Sequence, residues 1–142
     1  MKKKNGFSLL ELLIVVAIIL IIATMAIPSL LRSRQSANEA HAVANLRTLN
    51  TAEVSYLSNN QTYGDLPDLV AAGLLDFRFT SGSSGYNFIV QLGMSNMDYT
   101  SVAQAQGVNL GRFDFYSKPD YVIRYSTDPN HAPTGLTGEP VR

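Results

Sequence analysis

From Phe7 to Leu31 this 142-residue chain reads FSLLELLIVVAIILIIATMAIPSLL, and the fold turns on what that run is. Leu12 to Ala23 holds no polar residue, and Thr24 is the one polar position before Pro28 and Ser29. About 20 residues rising about 1.5 Å each cross roughly 30 Å of hydrocarbon, which predicts a membrane-spanning helix. Lys2, Lys3 and Lys4 stand ahead of it, and positive charge before an apolar segment keeps that end cytoplasmic. Glu11 breaks the pattern. A charged side chain inside a membrane helix costs roughly 2.5 to 3.5 kcal/mol on insertion scales, so the carboxylate needs a partner or a functional reason. A secretory signal ending at Thr24-Met25-Ala26 fits poorly, because such apolar regions run roughly 7 to 15 residues. A lipoprotein signal is excluded, since the chain has no cysteine to acylate. A plain single-span anchor leaves Glu11 unexplained.

The helical pattern continues past Pro28. Ala40, Val43, Leu46, Leu49, Val54 and Leu57 share one broad face, while His41, Thr48, Thr51 and Ser55 fall opposite; Asn50 and Glu53 intrude on the apolar arc. No glycine or proline interrupts residues 29–59. A helix from Phe7 to about Leu57 is on the order of 75 Å long. Pro28 removes one helical hydrogen bond and crowds the preceding turn, which bends the helix or locally melts it. The other reading ends the helix there, with Arg32 and Arg34 marking the membrane surface.

The segment Lys2-Lys3-Lys4-Asn5-Gly6-Phe7-Ser8-Leu9-Leu10-Glu11-Leu12-Leu13 resembles the class III signal of the type IV pilins and type II secretion pseudopilins. The resemblance covers roughly Lys2 to Leu57, with Ser8 where the family commonly has threonine. It implies that a prepilin peptidase cuts between Gly6 and Phe7 and methylates the new amino group of Phe7. The family's conserved glutamate maps onto Glu11 and its helix-bending proline onto Pro28. A glycine before the cut lets the peptidase draw the backbone close. Cleavage exposes a cationic amine on Phe7, one helical turn from Glu11 of its own chain and near Glu11 of a neighbour shifted along a bundle. At low dielectric that pair attracts strongly, and a subunit out of register leaves both charges unpaired. Glu11 and Phe7 are thus the expected assembly pair.

After the long helix about 80 residues remain, enough for one small domain. Asp65 or Leu66 near a cap, Pro67 early and Gly73 closing predict a short helix, in a stretch from Tyr63 to Asp76 that resembles the loop after the long helix in many pilins. Tyr86, Phe88, Val90 and Leu92 alternate as a half-buried strand does. Leu110 to Tyr116 is read as a second strand, with Phe113 and Phe115 on one face and Arg112 and Asp114 on the other. After the turn Ser117-Lys118-Pro119-Asp120, the residues Tyr121, Ile123 and Tyr125 alternate through a third. Gly93 to Gly107 is read as a loop with at most a helical turn. The tail from Thr127 to Arg142, rich in proline and glycine, is read as irregular chain.

The expected class is therefore α+β: a long N-terminal helix, transmembrane in its first half, packed on a small antiparallel sheet of three or four strands, the pilin fold. The organisation is a leader (residues 1–6), a transmembrane or filament-core helix (7–31), an amphipathic continuation (32–58) and a globular head (59–142). Nothing points to an enzyme or a cofactor: there are two histidines, no cysteine, and no phosphate-cradling glycine loop. Asp114, Asp120 and Asp128 are conceivable calcium ligands by comparison with pseudopilins, but their spacing matches no calcium loop, and no metal is expected. Losing Lys2 to Lys4 leaves eight basic side chains against eleven acidic ones, which disfavours nucleic-acid binding through phosphates. Asn60-Gln61-Thr62 matches a glycosylation acceptor pattern.

By resemblance the chain is a structural subunit of a type IV pilus, with a pseudopilin of a type II secretion system as the alternative. Implied partners are other copies of itself, the prepilin peptidase, an inner-membrane assembly platform with its ATPase, and membrane lipid before assembly. The implied path runs from a single-pass precursor in the inner membrane to an extracellular pilus or periplasmic pseudopilus, with roles spanning adhesion, twitching motility, DNA uptake and secretion. A membrane-tethered binding or sensor domain is the rival from a different class.

Overall fold

A computed structural model describes residues 6–125 and 138–141; the basic leader residues 2–4, Asp128 and most of the C-terminal tail lie outside them. The chain divides into two compact units, one up to Ser33 and one from Arg34. The first helix, α1, spans Leu9–Asn60 and contributes to both.

In the first unit, Pro28 lies inside α1 and the helix continues through it, so the reading of Pro28 as a terminus does not hold. The Thr24 carbonyl loses the amide that residue 28 would otherwise supply. One 18-residue window of α1 has mean hydropathy 3.0 and no buried residue, long and apolar enough to cross a membrane.

In the second unit α1 buries a stripe of Gln35, Glu39, Ala42, Leu46, Leu49, Asn50, Ala52 and Glu53. This is rotated from the hydropathy reading: Ala40 and Val54 are exposed, and Asn50 and Glu53 point into the core. Two short helices follow, α2 (Leu66–Ala71) and α3 (Arg78–Ser81). Asp65 caps α2 in a reciprocal box with Asp68, each carboxylate accepting the other's backbone N–H, and Gly73 takes the left-handed conformation (φ 71°) beyond its end.

Among the described residues five antiparallel strands follow in sequential order: β1 (Tyr86–Leu92), β2 (Tyr99–Ala105), β3 (Phe115–Ser117), β4 (Arg124–Tyr125) and β5 (Glu139–Pro140). The core gathers Leu46 and Leu49 of α1, Leu69 of α2, and Tyr86, Tyr99, Ala103 and Phe115 of the sheet. The expected α+β class with a small antiparallel sheet holds, and β1 falls where the alternation put it.

Several details differ. β2 lies in the stretch read as loop and pairs β1 along its whole length, from Tyr86 opposite Ala105 to Leu92 opposite Tyr99. Its inward residues after Tyr99 are Ser101 and Ala103, small side chains that leave no hydropathic alternation. β3 is shorter than the Leu110–Tyr116 strand expected, because Leu110 and Arg112 are drawn to α1 by hydrogen bonds from Asn38 and to Glu39. Asp114 turns inward, where its Oδ1 accepts the Ala105 N–H at 2.8 Å. β4 keeps two residues of the expected Tyr121–Tyr125 strand; Tyr121 sits at φ 60°, a left-handed conformation incompatible with a strand. The hairpin itself is present, Phe115 pairing Tyr125. β5 comes from the tail that was read as irregular.

Candidate assembly segment

The N-terminal run owes its properties to side chains that nothing in its own unit covers. Phe7 is 82% exposed and Leu9 81%, and the aliphatic residues from Leu10 to Leu30 are likewise exposed. Exposed apolar surface of this extent marks a membrane or protein contact. Gly6 and Phe7 precede the first turn of α1, and a Cβ built on Gly6 meets nothing within 4 Å.

Glu11 lies in that first turn. Its Oε2 accepts the Ser8 backbone N–H at 3.3 Å, while the Leu12 N–H reaches the Ser8 carbonyl at 3.2 Å. This is one half of a capping box: a glutamate three residues on satisfies one of the orphan amides of the helix start. The bond is long and solvent-exposed, so it contributes modestly. None of the ion pairs among the described residues includes Glu11. Thr24 turns its hydroxyl back onto the Ile21 carbonyl at 2.7 Å.

Residues 1–27 match the family model for the prokaryotic N-terminal methylation motif. The chain is 41% identical over 63 residues to the type IV major pilin protein PilA of Myxococcus xanthus, covering 44% of this chain and 29% of that one. It is 39% identical over 75 residues to the type IV wide pilus major component PilA4 of Thermus thermophilus, covering 52% and 57%. Against the type II secretion system core protein G of Vibrio cholerae it is 36% identical over 63 residues, covering 44% and 43%. Over about half of its length the chain is thus similar to type IV pilins and to a type II secretion pseudopilin. It spans between 29% and 57% of the lengths of these relatives.

The second unit is held to its own stretch of α1 by polar side chains to which the sequence reading gave no role. Gln35 donates to the Val108 carbonyl at 2.7 Å and Asn38 to the Leu110 carbonyl at 2.8 Å. Glu39 accepts from the backbone N–H, Nε and Nη2 of Arg112, all within 3.0 Å, which raises the Arg112 pKa through that hydrogen bond and charge. Further along, the Tyr99 hydroxyl donates to Asn50 Oδ1, and Asn50 Nδ2 donates to Ser117 Oγ. Burial pushes the Tyr99 phenol well above its ordinary range, so it stays a neutral donor. The available signal was the interruption itself: Asn50 and Glu53 sit at helical spacing from Leu46 and Leu49.

Of the calcium candidates, Asp128 lies outside the described residues and the other two are otherwise engaged. Asp114 binds the Ala105 amide, and Asp120 pairs with Arg124, whose hydrogen bond holds the Asp120 carboxyl below the usual range. Among the described residues no three His, Cys, Asp or Glu side chains converge as a metal site.

Proposed function

We propose that this chain is a structural subunit of a type IV pilus. It is made as an inner-membrane precursor, cut between Gly6 and Phe7 by a prepilin peptidase that also methylates Phe7, and drawn into a helical filament through its apolar helix. On this reading residues 1–6 are the leader, 7–31 the membrane and filament-core helix with its bend at Pro28, 32–58 the amphipathic continuation, and 59–142 the head. It works by packing, with no catalysis and no cofactor. An inner-membrane platform and ATPase supply the driving force, and each copy meets the next through different surfaces, so growth does not close on itself.

The observation that carries this reading is the long exposed apolar helix with one carboxylate in its first turn, beside a matched methylation motif. Glu11 has two possible employments, a local cap on Ser8 and a partner for the Phe7 amine of another copy. Glu11→Gln separates them, because the amide oxygen still accepts from the Ser8 N–H while the charge is gone. Membrane insertion and cleavage should be unchanged and filaments should be lost. Filaments at parental yield from Glu11→Gln would refute the role of the charge. N-terminal mass analysis of sheared surface material reports cleavage and methylation; an intact Met1 on a chain that stays monomeric would instead support a tethered binding or sensor domain.

The similarity to core protein G of a type II secretion system supports a second reading, a pseudopilin. Long surface fibres at native expression favour the pilin. A secretion defect in the deletion strain without fibres in the parent favours the pseudopilin.

A further inference from the structure

Glu53 is wholly enclosed in the head, at 0% exposure. Its Oε2 accepts the Gly64 backbone N–H at 3.2 Å, and its Oε1 has no hydrogen-bond partner among the described residues. The chain between α1 and α2 passes close above it. A Cβ on Gly64 would lie 3.0 Å from the Tyr56 ring of α1, so the absence of a side chain permits the approach that makes the Glu53 bond. An ionised carboxylate with a single amide for company is costly in such a place, whereas the neutral acid is tolerated.

We propose that Glu53 is a proton-operated latch: protonated, it lets the Gln61–Asp65 connection dock on α1, and ionised, it loosens that connection. The charged groups that face it oppose ionisation. Asp65 and Asp68, at the start of α2, add like charge; Tyr63 of the connection and Tyr99 of β2 are phenols that burial keeps neutral. Behind them lie Tyr121 and Asp120 of the β3–β4 connection and Asp98 ahead of β2. Asp98 is itself paired with Lys118 at 3.6 Å. Burial, more than any neighbour, moves the Glu53 carboxyl up to about 7, against the pull of the Gly64 bond. The latch therefore works near neutrality. It also reaches the surface: the Tyr63 N–H donates to the Asn96 carbonyl at 2.9 Å, in a turn beside the exposed Met94 and Met97.

Amide hydrogen exchange of the full chain in detergent micelles tests the latch, with rates corrected for the intrinsic effect of pH. If Glu53 titrates normally once the connection opens, the opening constant for residues 61–66 rises about 30-fold between about pH 5.5 and about pH 8.5. In Glu53→Gln it should not change with pH. A rise below about 3-fold in the parent chain, or an equal rise in Glu53→Gln, overturns the proposal. Should Glu53→Gln fail to fold, carbon-13 titration of the parent's own carboxyl decides: a midpoint near neutrality supports the latch, and one in the ordinary glutamate range sinks it.

Discussion

Replacing Gly111 with alanine drives a methyl group into the side chain of Tyr86. The new Cβ would sit 2.0 Å from the Tyr86 Oη, 2.5 Å from Cζ and 2.9 Å from Cε2. Neither side can retreat freely. Tyr86 is fully buried, donates to the Phe113 carbonyl at 2.8 Å, and packs its ring 6.0 Å from that of Phe115. The chain around Gly111 is tied to α1 through Gln35, Asn38 and Glu39. Overpacking of this kind costs about 1–3 kcal/mol, and displacing the tyrosine hydroxyl forfeits about 1 kcal/mol more. The expected loss is thus about 2–4 kcal/mol, read from urea unfolding of the full chain in detergent by the near-ultraviolet dichroism of its buried tyrosines. In a Tyr86→Phe background the worst contact disappears while the one to Cζ remains, so the alanine penalty should shrink without vanishing. A Gly111→Ala chain within about 0.5 kcal/mol of the parent would show that the segment moves aside and that its bonds to α1 do not hold it.

Glu39→Ala should lower head stability by about 1–2 kcal/mol, a figure discounted because Arg112 is half exposed, and the cycle with Arg112→Ala should show a positive coupling. Equilibrium unfolding of the four chains checks it; additive losses would mean that the pair contributes nothing of its own. Glu53 sets a pH dependence of definite sign. A carboxyl whose pKa rises from 4.5 to about 7 on folding holds its proton more tightly folded than unfolded. Its stabilising share is complete below pH 4.5, declines as pH rises, and is gone above about pH 7, a change of about 3 kcal/mol. Unfolding midpoints in urea across that range should slope downward in the parent and much less in Glu53→Gln.

The N-terminal half was legible because its information is compositional: length, apolarity and one acid can be read without knowing any tertiary contact. The cap of α2 was legible for a similar reason, since Asp65, Pro67 and Gly73 act within a few residues. β1 announces itself through large alternating side chains. β2 does not, because Ser101 and Ala103 are buried for their smallness, beside β3, and that fit exists only after folding. Tyr121 misled in the opposite sense. Its alternation with Ile123 and Tyr125 suggests a strand, but a left-handed turn places it 47% exposed, outside the sheet.

The rotated burial of α1 follows from the same logic. Leu46 and Leu49 supply apolar burial, which is non-directional and would tolerate a helix turned by a few tens of degrees. Gln35, Asn38, Glu39, Asn50 and Glu53 each meet a specific partner, at Val108, Leu110, Arg112, Ser117 with Tyr99, and Gly64. Turning the helix to bury Ala40 and Val54 instead would leave several of these groups enclosed without partners, each at about 1–3 kcal/mol, far more than two small side chains return. Polar residues therefore select the orientation that hydropathy leaves open. From Leu9 to Leu31 the balance is reversed, for the run is almost wholly aliphatic and Glu11 is its one ionisable side chain. Whatever covers that helix receives ample apolar contact and very little directional information. On the proposed reading, that is why a single carboxylate can decide which axial position a neighbouring copy accepts.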